Sequence, residues 1–199
     1  MVRELSADKR EGFLRAALKL FAANGVQNTS TAEIAREAGT AAGTLFLYFP
    51  TKQELINELT VTISKEQADF INSLLDPSQS ARQAFLTIWD GSIRWLLEHM
   101  DAYQYTQQIR ETGLLPDAVV QETGKHFRYY YEAIQKGLEE GSLKPYPITL
   151  IGSFLYHDIV AMMDYLRQQP DPLTQAAAIQ QGFELFWDGI STHKDRADF

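Results

Sequence analysis

Ser30-Thr-Ala-Glu-Ile-Ala-Arg-Glu-Ala-Gly-Thr-Ala-Ala-Gly-Thr-Leu-Phe-Leu-Tyr-Phe-Pro-Thr-Lys52 is the stretch that decides the fold. Its first short helix opens on a capping box, in which the Ser30 and Glu33 side chains each satisfy a backbone donor of the other residue. Ile34, Ala35 and Ala38 give that helix one small apolar face, and Gly39 supplies the left-handed residue that ends it. A second helix starts near Ala41 or Ala42 and buries Leu45 and Phe49, spaced i, i+4. Thr51 and Glu54 repeat the capping box and open a third helix. A tight turn containing Gly between two short helices is what a DNA-reading helix-turn-helix requires, because the second helix must project into a major groove. A plain helical hairpin would share that geometry.

Working outward, the remaining chain reads as helix after helix. Residues 8–23 are amphipathic, with Leu14, Ala17, Leu18 and Phe21 on one face. A long helix is predicted from Lys52 to about Leu75, stopped by Asp76-Pro77. Others follow over 80–100, 101–112 and 115–140, and two last ones over 147–168 and 173–190, parted by Gln169-Pro170-Asp171-Pro172. No segment alternates with period two, so no sheet is expected. The expectation is an all-α chain of about nine helices. A three-helix helix-turn-helix domain over 1–52 precedes a larger helical ligand-binding and dimerisation domain over 53–199.

Charge is divided unevenly along the chain. Residues 1–55 carry seven Lys or Arg against six Asp or Glu, and residues 56–199 carry the other eleven against twenty. The acidity that makes the net charge −8 therefore lies outside the helix-turn-helix segment. An acidic remainder repels nucleic acid and favours docking through the N-terminal face, where Arg3, Lys9 and Arg10 could approach phosphates. There is no Cys for a disulfide or thiolate site, no apolar run long enough to span a membrane and no signal segment, so a cytoplasmic location is expected. His99, His126, His157 and His193 lack metal-ligand spacing, and no phosphate-binding Gly-rich loop or nucleophile elbow occurs. Neither an enzyme, nor a metal, nor a cofactor is expected.

The segment from Lys9 to Leu59 resembles the DNA-binding domain of the TetR family of bacterial repressors. The resemblance rests on Ala16-Ala17-Leu18-Lys19-Leu20-Phe21, Asn24-Gly25, Thr29-Ser30, Ile34-Ala35, Ala38-Gly39, the run Gly43-Thr44-Leu45-Phe46-Leu47-Tyr48-Phe49, and Lys52, Glu54 and Leu55. It departs from the family's usual pattern, which has Val where Thr40 stands, often Ser at Ala41 and Tyr at Phe46. The resemblance implies a homodimer that binds double-stranded DNA and is released by a small-molecule effector. For the DNA contact we select Thr31, Thr40, Ala41, Ala42, Gly43, Thr44, Leu47, Tyr48 and Lys52. Thr44 suits phosphate or base-edge hydrogen bonds, Leu47 and Ala42 suit thymine methyls, and Tyr48, Lys52 and Thr31 would position the backbone. A helical ligand-binding module of the same fold that never touches DNA is the alternative.

Aromatic residues crowd the middle of the chain, where the resemblance implies an effector pocket. Phe70, Phe85, Trp89, Ile93, Tyr103, Gln107, Phe127, Tyr131 and Asp158 are the candidates, since effector cavities are apolar with a few polar groups. Any single ring among them is a better candidate for core than for ligand contact, and it is as a set that they suggest a cavity. Such walls would suit a hydrophobic or aromatic effector, including a planar cation. In the TetR family the two C-terminal helices usually pair with their copies. Phe154, Ile159 and Met162 with Ile179, Phe183, Phe186 and Trp187 form the apolar stripes expected to do so here. Two linked reading helices about 34–36 Å apart would supply enough base pairs for useful specificity.

Overall fold

The computed structural model describes residues 6–169 and 171–192, so Arg3 and His193 lie outside the described residues. Ten helices run through them: α1 Ala7–Asn24, α2 Thr31–Glu37, α3 Ala42–Tyr48, α4 Lys52–Leu74, α5 Ala81–Glu98, α6 Met100–Thr112, α7 Asp117–His126, α8 Arg128–Glu140, α9 Ile148–Leu166 and α10 Pro172–Ile190. No strand occurs among the described residues beyond one isolated antiparallel bridge, Leu143 to Ser191. The all-α expectation holds. None of the described helices is long and apolar enough to cross a membrane.

Both capping boxes form. Ser30 Oγ accepts from the Glu33 N–H at 3.2 Å, and Glu33 accepts from the Ser30 N–H at 2.7 Å. Thr51 and Glu54 do the same at 3.1 and 3.0 Å. Where one helix was expected over 115–140, two are found, broken at Phe127. The reason is packing. α7 buries no residue, whereas α8 buries Tyr129, Ala133, Ile134 and Gly137. A ten-residue helix with no buried face is not held in register with its neighbour, and Gly124 near its end lowers its helical propensity by about 1 kcal/mol.

Two compact units emerge, and their limits differ from a cut after residue 52. The first unit comprises the chain up to Glu66 together with His99–Lys125, and the second comprises Gln67–Glu98 with the chain from His126 onward. α4 begins in the first and ends in the second. In the first unit α6 packs on α1, and Tyr105 is its keel. The Tyr105 ring stacks on Phe21 at 5.9 Å, and its hydroxyl donates to the Ile56 carbonyl at 3.0 Å and lies 2.8 Å from Thr60 Oγ1. Burial pushes this phenol's pKa up, because the anion would lose its water. In the second unit α5 is central and meets α8, α9 and α10.

Tyr105→Phe keeps the ring and removes the hydroxyl from a buried site. We expect it to lower stability by about 1–2 kcal/mol, the usual range for a buried hydrogen bond that leaves its partner short. A lower urea midpoint at unchanged slope would show this.

Candidate nucleic-acid interface and ligand groove

The turn between α2 and α3 is closed from within. Gly39 adopts φ +70°, where a side chain would strain, and its N–H reaches the Arg36 carbonyl at 3.0 Å. Thr40 donates to the Ala35 carbonyl twice, from its N–H at 2.8 Å and from its hydroxyl at 3.3 Å. The Thr40 hydroxyl therefore spends its proton on the turn. α3 is seven residues, about 10 Å long at ~1.5 Å per residue. Leu45 and Tyr48 face inward, and Leu47 (66% exposed) and Phe46 (45% exposed) face solvent. Ala41 and Gly43 are exposed beside them, with Ala42 and Thr44 half-buried. A Cβ built on Gly43 meets nothing within 4 Å, so nothing inside the chain requires glycine there. Thr31 is half-buried at the start of α2.

Two expected backbone contacts need correction. Tyr48 is only 8% exposed, packs its ring 5.4 Å from Phe13 and accepts the Ser6 N–H at 3.1 Å. It anchors α3 to α1 and does not face outward. Lys52 is half-buried, with its ammonium donating to the Val26 carbonyl at 2.6 Å and 5.7 Å from the Phe21 ring. Loss of water there lowers its pKa. Both positions come from the segment that resembles the TetR family, and such a resemblance does not fix the direction of a side chain. Arg10, expected near phosphates, instead forks onto Glu58 and lies over Phe49 at 4.7 Å.

The cations free to meet a polyanion are therefore fewer than the sequence suggests. Arg15 pairs with Glu11 and Lys19 with Glu37, but these are exposed pairs worth little, and a phosphate can replace either carboxylate. Lys9 and Arg36 are exposed. Arg36, in the last turn of α2 beside the turn, was not among the residues selected from sequence. The signal was there, since it is the only cation between Ser30 and Thr51 and shares a helix with the Ile34 and Ala35 core face.

The second unit holds an open groove of about 650 Å³ walled by α5, α9 and α10. Of the nine candidate pocket residues, Trp89 and Asp158 line it. Phe85 and Ile93 are buried elsewhere in this unit, Phe70 and Phe127 are half-buried, and Tyr131 is exposed. Tyr103 and Gln107 belong to the first unit.

The expected dimer stripe also changes. Phe183, Phe186 and Trp187 are buried in their own chain, where Trp89 stacks on Phe186 at 6.1 Å and Phe85 lies 5.7 Å from Trp187. Ile159 and Ile179 are buried too, and Met162 is half-buried. α5 has already taken these side chains. What α9 and α10 leave outside is Leu150, Phe154 (58% exposed), Tyr165, Leu173 and Leu185 (79% exposed).

Comparison with known proteins gives a consistent picture. Residues 13–59 match the family model for bacterial regulatory proteins, tetR family. The chain is 24% identical over 169 residues to the uncharacterized HTH-type transcriptional regulator YhgD of Bacillus subtilis, covering 83% of this chain and 88% of that one. It is 23% identical over 192 residues to the HTH-type transcriptional repressor KstR2 of Mycobacterium tuberculosis, covering 92% and 93%. A tetR family transcription regulator from Shewanella sp. PV-4 superposes with a TM-score of 0.86 at 29% identity, over 93% of this chain and 99% of the other.

Arg36 and Lys52 should separate experimentally. Arg36→Ala should leave stability within about 0.5 kcal/mol, as for an exposed side chain, and reduce the salt slope of duplex binding by about one unit. Lys52→Met should instead lower the urea midpoint, because the Val26 carbonyl loses a charged donor.

Proposed function

We propose that this chain, which belongs to the tetR family of bacterial regulatory proteins and is a transcriptional regulator of that type, works as a dimeric repressor released from a palindromic operator by a small molecule. The observation that carries the reading is the outer face of α3. Leu47 and Phe46 stand exposed on either side of the open space at Gly43, an arrangement that gains nothing for the isolated chain. Against a major groove the same face has a use. Glycine lets a backbone approach the duplex closely, Leu47 can meet thymine methyls, and Thr44 can hydrogen-bond a phosphate or base edge. Long polar side chains are scarce on α3, so part of the specificity would come from DNA shape.

A second copy fits the apolar residues that α9 and α10 leave outside. Leu150, Phe154 and Tyr165 recur along one stripe of α9, and Leu173 and Leu185 lie on α10. Patches of this kind are rare on monomers. Two-fold pairing would present two reading helices to two half-sites. For release, α4 is one unbroken helix of 23 residues that begins in the DNA-reading unit and ends in the other. A ligand that prefers one setting of α4 must weaken DNA binding by the factor by which DNA weakens ligand binding, typically ~5–150-fold.

Selection of duplexes from a random pool at low salt tests the reading. The full chain should recover a palindrome, and its affinity should fall steeply with salt as counterions are released. Recovery of no duplex would favour the module that does not bind DNA. In sedimentation, the unmodified chain should be dimeric at micromolar concentration. Phe154→Glu with Leu185→Glu should give a folded monomer, whereas Trp187→Glu should unfold the chain because it buries a charge. A monomeric unmodified chain would end the two-half-site model.

A further inference from the structure

We infer that the groove between α5, α9 and α10 binds an organic cation with an apolar body, held by the Asp158 carboxylate. Trp89 and Phe186, both buried, form its floor, and Ile151, Met162 and Leu185 contribute apolar walls. At about 650 Å³ it falls within the range of small-molecule sites, roughly 300–1,000 Å³. Asp158 is the one charged residue among its lining, and no Lys, Arg or His belongs to it. The carboxylate is half-buried and forms no hydrogen bond or ion pair with another described residue. Burial raises its pKa, and the exposed neighbour His157 offsets this only in part, so the anion is short of water.

Charge complementarity selects the ligand class. A neutral apolar molecule would fill the walls and leave the anion less solvated still, at a cost of kcal/mol order. An anion would be repelled by Asp158 and by a chain segment, 56–199, with twenty acidic groups against eleven basic ones. A cation restores the missing partner, and the aromatic floor adds favourable quadrupole contact where its charge is delocalised. Leu150, Phe154 and Leu185 line the groove, are exposed and also belong to the proposed dimer face, so a second copy would meet the site there. The inference names the effector class for the regulator proposed above, and rests on that reading only for its consequence at DNA.

The test needs no DNA. Full-length protein is titrated calorimetrically with tetraphenylphosphonium and with tetraphenylborate, which share a shape and differ in the sign of charge. The cation should bind at least tenfold tighter, and Asp158→Asn should remove at least tenfold of that preference while the variant stays folded and keeps its oligomeric state. Equal affinity for the two ions, or an unchanged preference in Asp158→Asn, would overturn the proposal. So would sedimentation showing that the cation binds only where the dimer has dissociated, since the second copy would then be the occupant. Cation binding with no duplex recovered by selection would uphold this site and reject the repressor reading.

Discussion

A closed circuit of hydrogen bonds around Val26 and Tyr105 holds the first unit together. Gln108 on α6 accepts the Val26 N–H at 3.2 Å, and Lys52 at the start of α4 donates to the Val26 carbonyl at 2.6 Å. Further along α4, Ile56 and Thr60 meet the Tyr105 hydroxyl, which returns the circuit to α6. The Phe21 ring lies inside it, stacked on Tyr105 and approached by the Lys52 ammonium. Every link is at least part-buried, where a hydrogen bond is harder to exchange for water and a missing one is costly. α1, α4 and the loop before α2 thus take their positions from α6, which lies some fifty residues beyond the helix-turn-helix. α2 and α3, seven residues each, bury too little apolar area to be rigid alone, and packing of α1 on α6 supplies the remainder.

That dependence explains which features were legible in the sequence. The capping boxes at Ser30 and Thr51, the left-handed Gly39 and the i, i+4 pair Leu45 and Phe49 are local, set by residues within one turn of each other. Local chemistry can be read from a string. The direction of Tyr48 and the destination of Lys52 cannot, because both are decided by partners at a distance in sequence: Ser6 and Phe13 for one, Val26 and Phe21 for the other. The same holds for the break at Phe127. Periodicity ran through it, yet only the α8 side found a surface to pack on.

The apolar stripes of α9 and α10 teach a related point. An aromatic-rich helix announces that it will be buried and does not say against what. α10 directs Phe183, Phe186 and Trp187 at α5 and leaves Leu173 and Leu185 outside, so one helix serves an internal and an external face. Sequence patterning gave the total apolar area, while the division between buried and exposed faces depends on which stripe α5 occupies.

Gly182 shows how tightly that division is set. A Cβ at this position would lie 2.9 Å from Trp89 Cζ2 and would collide with the Met162 methyl, so α10 approaches α9 and α5 closely only because the residue is glycine. The close approach lets the Trp89 indole N–H reach the Ile179 carbonyl at 2.9 Å, which fixes the ring in the groove floor. A larger residue would push α10 away by overpacking, at a cost of about 1–3 kcal/mol. It would also loosen the Trp89 ring in the groove floor. The absence of a side chain at Gly182 therefore gives the second unit its density and the groove a defined floor. Stability and groove shape in this unit cannot be tuned independently at that position.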